Sequence, residues 1–351
     1  YTAELNKVNI AKATCSSRLP HLILAISGVL PCGAGKLPGH YKRFVCSACF
    51  FTGAYSLYTL LSQGVNILST VCVCYSLGGG VGLFSLQRMN IHNLIGKSDN
   101  LLDNYARRHG FLEMWAAASV RLIVIVGLFW TGAVVLIGLM AVFWSTIESP
   151  GITIALTLGY IFASGVVVVL TYCQLHVCAG LELMVDSFCV EFLAESNFRE
   201  GVAQWNTIQA IMRRASHTID LCFVSVQTSV LTASVLLGMD VMLGSGSLEH
   251  AFRGLPSCGL LMAIMQFGQY KAAVVTQKCQ RMPAVVNSLA IEGQAINCER
   301  QYMVQFIMQS AAGFYVRGVR LTPFMVFKAA YLCVMITIGF VMRLTKADSN
   351  S

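Results

Sequence analysis

Charged residues are scarce in this chain. Only 11% of its 351 residues are Asp, Glu, Lys or Arg, whereas an ordinary soluble domain contains about 25%. Hydrophobic residues make up 56% of the chain, and the mean hydropathy is +0.67. This composition excludes a disordered chain, a nucleic-acid-binding tail and an ordinary cytosolic enzyme, because none of these is so apolar. It indicates an all-α membrane protein with several transmembrane helices.

Sequence signals for catalysis, metal binding and secretion are also missing. The seven histidines are scattered, and no HExxH, GxSxG, P-loop or GxGxxG pattern occurs. The 14 cysteines include no CxxC with a matching partner and no pair placed for an extracellular disulfide, so we interpret them as small apolar residues. No basic segment with a short apolar run and a cleavage site stands at the start. We therefore predict no enzyme activity, no cofactor or metal, no nucleic-acid partner and no secretory signal.

Seven apolar stretches have the length of about 20 residues that crosses a bilayer. They are residues 43–64, 66–86, 115–144, 152–178, 219–245, 255–277 and 322–342. A shorter apolar run, Leu22 to Cys32, contains Gly28 and Pro31 and indicates an interfacial or re-entrant segment. The loops after the first, third and fifth spans are short and those after the second, fourth and sixth are long, so all the long loops are predicted on one face.

The basic residues predict which face is cytosolic. Of the 24 lysines and arginines, 19 lie on the face that carries the N-terminus and the long loops. Cytosolic loops are rich in Lys and Arg. We therefore predict a cytosolic N-terminus and, after seven crossings, an extracellular C-terminus. A G-protein-coupled receptor also has seven spans, but its N-terminus is outside, so the charge count argues against that class.

The long inner loops have helical patterns of their own. Leu181, Val185, Phe188 and Phe192 recur at helical spacing, and further amphipathic stretches cover 204–218 and 290–309. We expect the fourth and sixth spans to continue as helices into a cytosolic anchor domain, the alternative being helices that lie on lipid. The predicted segments are a cytosolic or interfacial N-terminal segment at 1–42, spans one to six within 43–277, anchor helices at 179–218 and 278–321, a seventh span at 322–343 and an extracellular tail at 344–351.

The C-terminal residues resemble one known family. Gln305–Ser310, Gly318–Phe324 and Lys328–Ile338 are similar to the end of insect odorant and gustatory receptors, where a cytosolic helix and a short turn precede the last span. The gustatory signature is Thr-Tyr, five hydrophobic residues and Gln-Phe, whereas this chain has Ala330-Tyr331, a hydrophobic run and Thr337-Ile338. The resemblance identifies a divergent gustatory-receptor-like member of that superfamily, with the Tyr and the hydrophobic run retained and the Gln absent.

The resemblance implies a receptor in the plasma membrane that is a ligand-gated, non-selective cation channel. Family members are tetramers whose seventh span lines the pore, so a homotetramer, or an assembly with a co-receptor subunit, is expected. The positions that match the pore-lining residues are Val334, Thr337, Ile338 and Val341. They share one helical face at i, i+3, i+4 and i+7, and four copies of that face would form an apolar ring. Packing against lipid or neighbouring helices is the alternative role of this stripe.

The resemblance also implies a small-molecule pocket in the outer half of each subunit, among spans two to six. The outer halves of these spans offer aromatic, Met and polar residues that suit an apolar or amphipathic ligand. Packing between helices is the alternative role for each of them. Asp240 differs from the rest because an acid at that depth is costly, and it is a candidate contact for a cationic or hydroxyl-bearing ligand, unless it lies at the headgroups. The candidates are Tyr75, Phe129, Trp130, Tyr160, Phe162, Ser234, Met239, Asp240, Met262 and Gln266.

Overall fold

The chain folds almost entirely into helices. The computed structural model describes residues 20, 22–25, 27, 29, 37–63, 67–95, 101–144, 150–195, 197–243, 255–288 and 298–348. In chain order its elements are α1 (Leu37–Gln63), α2 (Ile67–Arg88), a 3₁₀ turn (Ile91–Asn93), α3 (Leu101–Arg108), α4 (Leu112–Trp144), α5 (Pro150–Glu195), α6 (Phe198–Leu243), α7 (Leu255–Asn287), α8 (Cys298–Ser310), β1 (Tyr315–Val316), β2 (Val319–Arg320) and α9 (Pro323–Asp348).

Six of the described helices are long and apolar enough to cross a membrane: α1, α2, α4, α5, α6 and α7. This confirms the predicted all-α, multi-pass membrane fold. The seventh predicted span coincides with α9, which has 26 residues. Its apolar stretch within the described part is Pro323–Met335, so the seventh crossing stays a prediction.

Two helices are far longer than a bilayer requires. α5 and α6 contain 46 residues each, which is about 69 Å of helix, whereas the hydrocarbon core of a bilayer is about 30 Å thick. Pro150 occupies the first position of α5, where its missing N–H costs nothing. At the start of α6, the Asn197 Oδ1 accepts the N–H of Glu200 at 3.3 Å and caps the helix. The two helices therefore form a long antiparallel pair that extends well past the predicted spans.

Beyond the spans, these extensions pack with smaller elements into a unit that we call the platform. It comprises α3, residues 179–195 of α5, 198–218 of α6 and 278–287 of α7, together with α8 and the β1–β2 hairpin. Trp205, Phe188 and Phe314 are among its largest fully buried side chains. α5 runs past the predicted fourth span to Glu195, and α7 runs past the predicted sixth span to Asn287. The structure adds that the 204–218 stretch belongs to the same helix as the fifth span.

α2 packs closely against its neighbours because four of its residues, Gly78, Gly79, Gly80 and Gly82, are glycines. A Cβ added at Gly78 would lie 2.2 Å from the Cβ of Ser229 on α6. One added at Gly82 would lie 2.9 Å from both the Leu170 Cδ1 and the Ser225 Oγ. Small residues allow transmembrane helices to approach closely, and here they bring α2 against α5 and α6.

Candidate functional site

The last helix, α9, is poorly covered by its own chain. Of its described side chains only Val326 is buried. α9 touches α7 through the rings of Phe327 and Tyr270, whose centroids are 6.5 Å apart, and through Cys333, whose Sγ lies 3.8 Å from the Nε2 of Gln266. The remaining apolar surface of α9 requires either lipid or another chain as a neighbour, because a helix this apolar is unstable in water.

Two of the four predicted gate residues can be placed in detail. Val334 is 54% exposed and Ile338 is 42% exposed, and both belong to the uncovered surface of α9. Thr337 and Val341 lie within the helix, but their side chains are outside the described residues. An apolar surface suits a gate that closes by losing its water and also suits contact with lipid, so the gate itself stays a prediction.

The β1–β2 hairpin fixes the segment that leads into α9. Tyr315 pairs with Arg320 and Val316 with Val319. The two turn residues between them, Arg317 and Gly318, have φ values of 51° and 76°. Consecutive positive φ values define a turn that matches the right-handed twist of the strands, and Gly318 supplies one of them without steric cost. The chain therefore enters α9 from a rigid turn.

Side chains of α6 and α7 hold this segment by hydrogen bonds to its backbone and to the side chain of Ser310. The Asp220 Oδ1 accepts the N–H of Arg317 at 2.7 Å, and the Thr276 Oγ1 accepts the N–H of Phe314 at 2.9 Å. The Nε1 of Trp205 donates to the Ser310 Oγ at 3.0 Å. Because each bond joins a long helix to the segment before α9, the position of α9 is tied to that of the platform.

The structure brings together two of the predicted ligand residues in the transmembrane core. Tyr75 and Tyr160 are both fully buried, with ring centroids 6.1 Å apart. The Tyr75 hydroxyl donates to the Cys258 Sγ at 3.3 Å. This contact joins α2, α5 and α7 in the half of the bundle opposite the platform, which corresponds to the predicted outer half.

The other predicted ligand residues do not join this contact. The Trp130 Nε1 donates to the Ser164 Oγ at 3.1 Å, while Ser234 bonds the carbonyl of Val230 in its own helix. Phe162 and Met262 are partly buried against the core. Phe129 and Met239 are 37% and 49% exposed, which places them on the outside of the bundle. Ligand binding by each of these residues stays a prediction.

Asp240 lines a separate cavity of about 360 Å³ between α1, α2 and α6. Its described walls are apolar side chains from all three helices, with Thr70 and Asp240 as the polar members; the apolar ones are Leu60, Ile67, Val71, Leu236 and Leu237. The cavity lies at the end of the bundle opposite the platform. Its size falls within the range of small-molecule sites.

An ion-pair cluster joins α5 and α7 where these helices enter the platform. The Glu182 carboxylate lies 3.1 Å from the Nζ of both Lys271 and Lys278, and Lys278 also pairs with Asp186. This cluster was not predicted from the sequence, although Glu182 and Asp186 are spaced i, i+4 on one helix and Lys271 and Lys278 are spaced i, i+7 on another. That spacing was the available signal.

Glu182 and Lys278 lie outside the predicted spans, and each favours the charged form of the other. Burial alone would raise the pKa of Glu182, but hydrogen bonds and charge from Lys278 and Lys271 outweigh it and lower the pKa below 4.5. Burial alone would lower the pKa of Lys278, but Asp186 and Glu182 raise it above 10.5. Glu182 and Lys278 are therefore both ionised at neutral pH, and their ion pair ties the two helices together.

The fold as a whole is that of an insect olfactory receptor. The chain aligns with the insect olfactory receptor OR5 from Machilis hrabei at a TM-score of 0.64 and 14% identity, over 95% of this chain and 98% of that one. With the structure of that receptor in complex with eugenol, the TM-score is 0.63 and the identity 12%, over 93% and 97% of the two chains. No protein-family model and no curated protein matches the sequence. The chain therefore shares the fold of these olfactory receptors, as the resemblance of its C-terminal residues predicted.

Proposed function

We propose that this protein is a chemosensory-type receptor of the plasma membrane, a homotetrameric, non-selective cation channel opened by a small molecule that binds among its transmembrane helices. The N-terminus and the platform would be cytosolic and the C-terminus extracellular. The main supporting observation is the uncovered apolar surface of α9, in a chain whose fold matches an olfactory receptor over 95% of its length. A helix left uncovered by its own chain is suited to contact other subunits around a central axis.

The proposed gate follows from the chemistry of that surface. Four copies of α9 around an axis would place Val334 and Ile338 in stacked apolar rings, with Thr337 and Val341 on the same face. A narrow apolar constriction loses its water and blocks ions, and it conducts again when it widens. Thr337 would add the only hydroxyl group to this ring, at the position where the gustatory signature has Gln.

The proposed ligand site lies among the ten residues predicted from the sequence. One of the structures that share the fold is a complex with eugenol, a small molecule, which supports a small-molecule ligand here. The contact of Tyr75 with Tyr160 supports the location because two of the five predicted aromatic residues meet there between the helices. An assembly that includes a co-receptor subunit is the alternative to a homotetramer.

Electrical recording tests the channel proposal. Cells that express the full chain are exposed to a panel of small molecules, and we expect a ligand-dependent cation current. Val334→Ala and Ile338→Ala should increase the leak or alter conductance, since a smaller side chain widens an apolar ring. Leu332→Ala is the matched control, because residue 332 is two positions before 334 and lies on the opposite face of the helix. If both gate variants behave like the control, the gate assignment is wrong.

Two further measurements separate the alternatives. The mass of the purified protein in lipid nanodiscs should correspond to four copies, and glycosylation tags should be modified at the C-terminus and not at the N-terminus. A tetramer without current under any ligand would favour a non-conducting binder or scaffold of the same fold, an alternative that the missing Gln of the signature motivates. A glycosylated N-terminus would revive a G-protein-coupled receptor.

A further inference from the structure

The cavity that contains Asp240 combines one acidic group with apolar walls. Asp240 is its only charged member among the described residues. No described Lys, Arg or His forms an ion pair with Asp240, whereas the acids of the platform cluster are all paired. Asp240 is half-buried, and a carboxylate beside apolar walls attracts a cation more strongly than one in open water does.

The position of Asp240 in its helix strengthens this attraction. It belongs to the last turn of α6, which ends at Leu243 and has no basic residue in that turn. The carbonyl groups at a helix C-terminus carry partial negative charge, and an acid there is unfavourable unless a cation lies nearby. The carboxylate and the helix end therefore both favour a positive charge at the same place.

The apolar side chains that line the cavity indicate the chemistry of the rest of the ligand. Leu60 and Val71 come from α1 and α2, and Leu236 and Leu237 from α6, so a bound molecule would be surrounded by aliphatic side chains. A cavity of about 360 Å³ is too large for a bare ammonium or metal ion and suits a molecule of drug-fragment size. The hydrophobic effect rewards an apolar body in such a site.

We propose that this cavity binds amphiphilic amines, with the ammonium group at Asp240 and the apolar body between α1, α2 and α6. The site is separate from the buried contact of Tyr75 with Tyr160. It deepens the proposed function by naming a ligand class, but it rests on the cavity itself, and binding can be measured without any current.

A binding experiment on the full chain tests the site directly. The protein is purified in dodecyl maltoside, a detergent without charge or ammonium groups, and tritiated 4-phenylbutylamine serves as the probe. Its affinity is compared with that of 4-phenylbutan-1-ol, which has the same carbon skeleton but no charge. We expect the amine to bind about tenfold or more tightly than the alcohol, as a partly desolvated ion pair allows.

Two pairs of variants locate the site. Asp240→Asn should reduce amine affinity by about tenfold and leave the alcohol unchanged, whereas Asp220→Asn, on the same helix but paired with Arg317, should leave both unchanged. Leu236→Trp should fill the cavity and weaken both probes. Val235→Trp is its control, because Val235 is exposed on the same helix and does not belong to the described lining. Thermal melting of each variant verifies that it is folded.

The ammonium group could belong to a free amine or to a lipid headgroup, and added lipid distinguishes these sources. If phosphatidylcholine or phosphatidylethanolamine displaces the probe while phosphatidylglycerol does not, the occupant is a headgroup ammonium. If none of them displaces it, the occupant is a free amine. Equal affinity for amine and alcohol, or unchanged amine binding by Asp240→Asn, overturns the proposal. Specific amine binding without a current would leave this site standing and contradict only the channel proposal.

Discussion

α5 and α9 are both apolar helices, but they differ in how much of their surface is buried by the rest of the chain. Every residue from 171 to 181 of α5 is buried by its own chain, while α9 has only Val326 buried among its described side chains. The apolar residues in this central part of α5 are thus accounted for by folding alone. The exposed apolar residues of α9 are accounted for only by something outside the subunit. The comparison shows that apolar residues serve internal packing in one helix and an external contact in another.

Removing a buried aromatic side chain from the platform should have the largest effect. Trp205 is fully buried, contacts the Phe188 ring at 5.4 Å and donates to Ser310. Trp205→Ala should destabilise the isolated subunit by about 3–5 kcal/mol, measured by thermal unfolding in detergent. Tyr331→Ala on exposed α9 is the matched control and should change subunit stability by less than about 0.5 kcal/mol. Equal losses of stability in the two variants would contradict the difference between the buried helices and α9.

A matched pair of glycine substitutions sharpens the same contrast. A Cβ at Gly180 on α5 would lie 2.8 Å from the Trp115 Cε2 and 2.9 Å from the Leu102 Cδ2, whereas one at Gly339 on α9 would meet nothing within 4 Å. Gly180→Ala should cost about 1–3 kcal/mol through overpacking. Gly339→Ala should stabilise α9 by up to about 1 kcal/mol through helix propensity. If Gly339→Ala instead dissociates the oligomer in a native gel, copies of α9 approach each other closely at that position.

The ion-pair cluster between α5 and α7 predicts that the stability of the folded protein depends on pH. The pKa of Glu182 is below 4.5 in the folded protein, so its contribution to stability is present above pH 4.5 and is lost as the pH falls through the lowered value. Glu182→Gln should cost about 1–2 kcal/mol at pH 7 and should flatten the acid limb of a plot of melting temperature against pH. Glu195→Gln, an exposed position further along α5, is the control. An unchanged acid limb in Glu182→Gln would contradict this role.

A substitution in the β1–β2 hairpin, which connects the platform to α9, should have the smallest effect on stability. Gly318 has a φ of 76°, and a residue with a Cβ is disfavoured there by about 1 kcal/mol. Gly318→Ala should therefore lower the stability of the hairpin, read from faster hydrogen exchange at Tyr315 and Val316. Val319→Ala, at the adjacent exposed strand position, should have little effect on exchange. Equal exchange in the two variants would show that the turn conformation is not limiting.

The sequence predicted the elements of this fold better than their boundaries. Long apolar runs identify spans because a bilayer demands apolar residues on all sides of a helix. In the platform a helix buries only one face, so its sequence there is not apolar throughout. The apolar run that predicted the fifth span therefore starts only after Thr218, although α6 itself begins at Phe198. The hairpin was predicted only as a turn, because two-residue strands are too short to show alternation.

The candidate sites could also be predicted only in part from the sequence. The hydroxyl of Tyr75 meets Cys258 across 183 residues of sequence, and no local pattern encodes such a contact. Asp240 could be selected because an acid near the end of an apolar run is unusual. The cavity around Asp240 could not be predicted in the same way. Its other lining residues, such as Leu60 and Val71, come from the first two transmembrane helices and become neighbours of Asp240 only through packing.

The unbroken course of α6 has a mechanical consequence. One helix carries Asp240 in its last turn and, 20 residues earlier, Asp220, which holds the backbone of the hairpin before α9. Asp220 and Asp240 are about 30 Å apart along this helix, so a tilt of 1° about one of them moves the other by about 0.5 Å. The unbroken helix between them is a stiff lever arm. A force applied to the cavity wall is delivered to the anchor of the hairpin before α9 with no loop in between to absorb it.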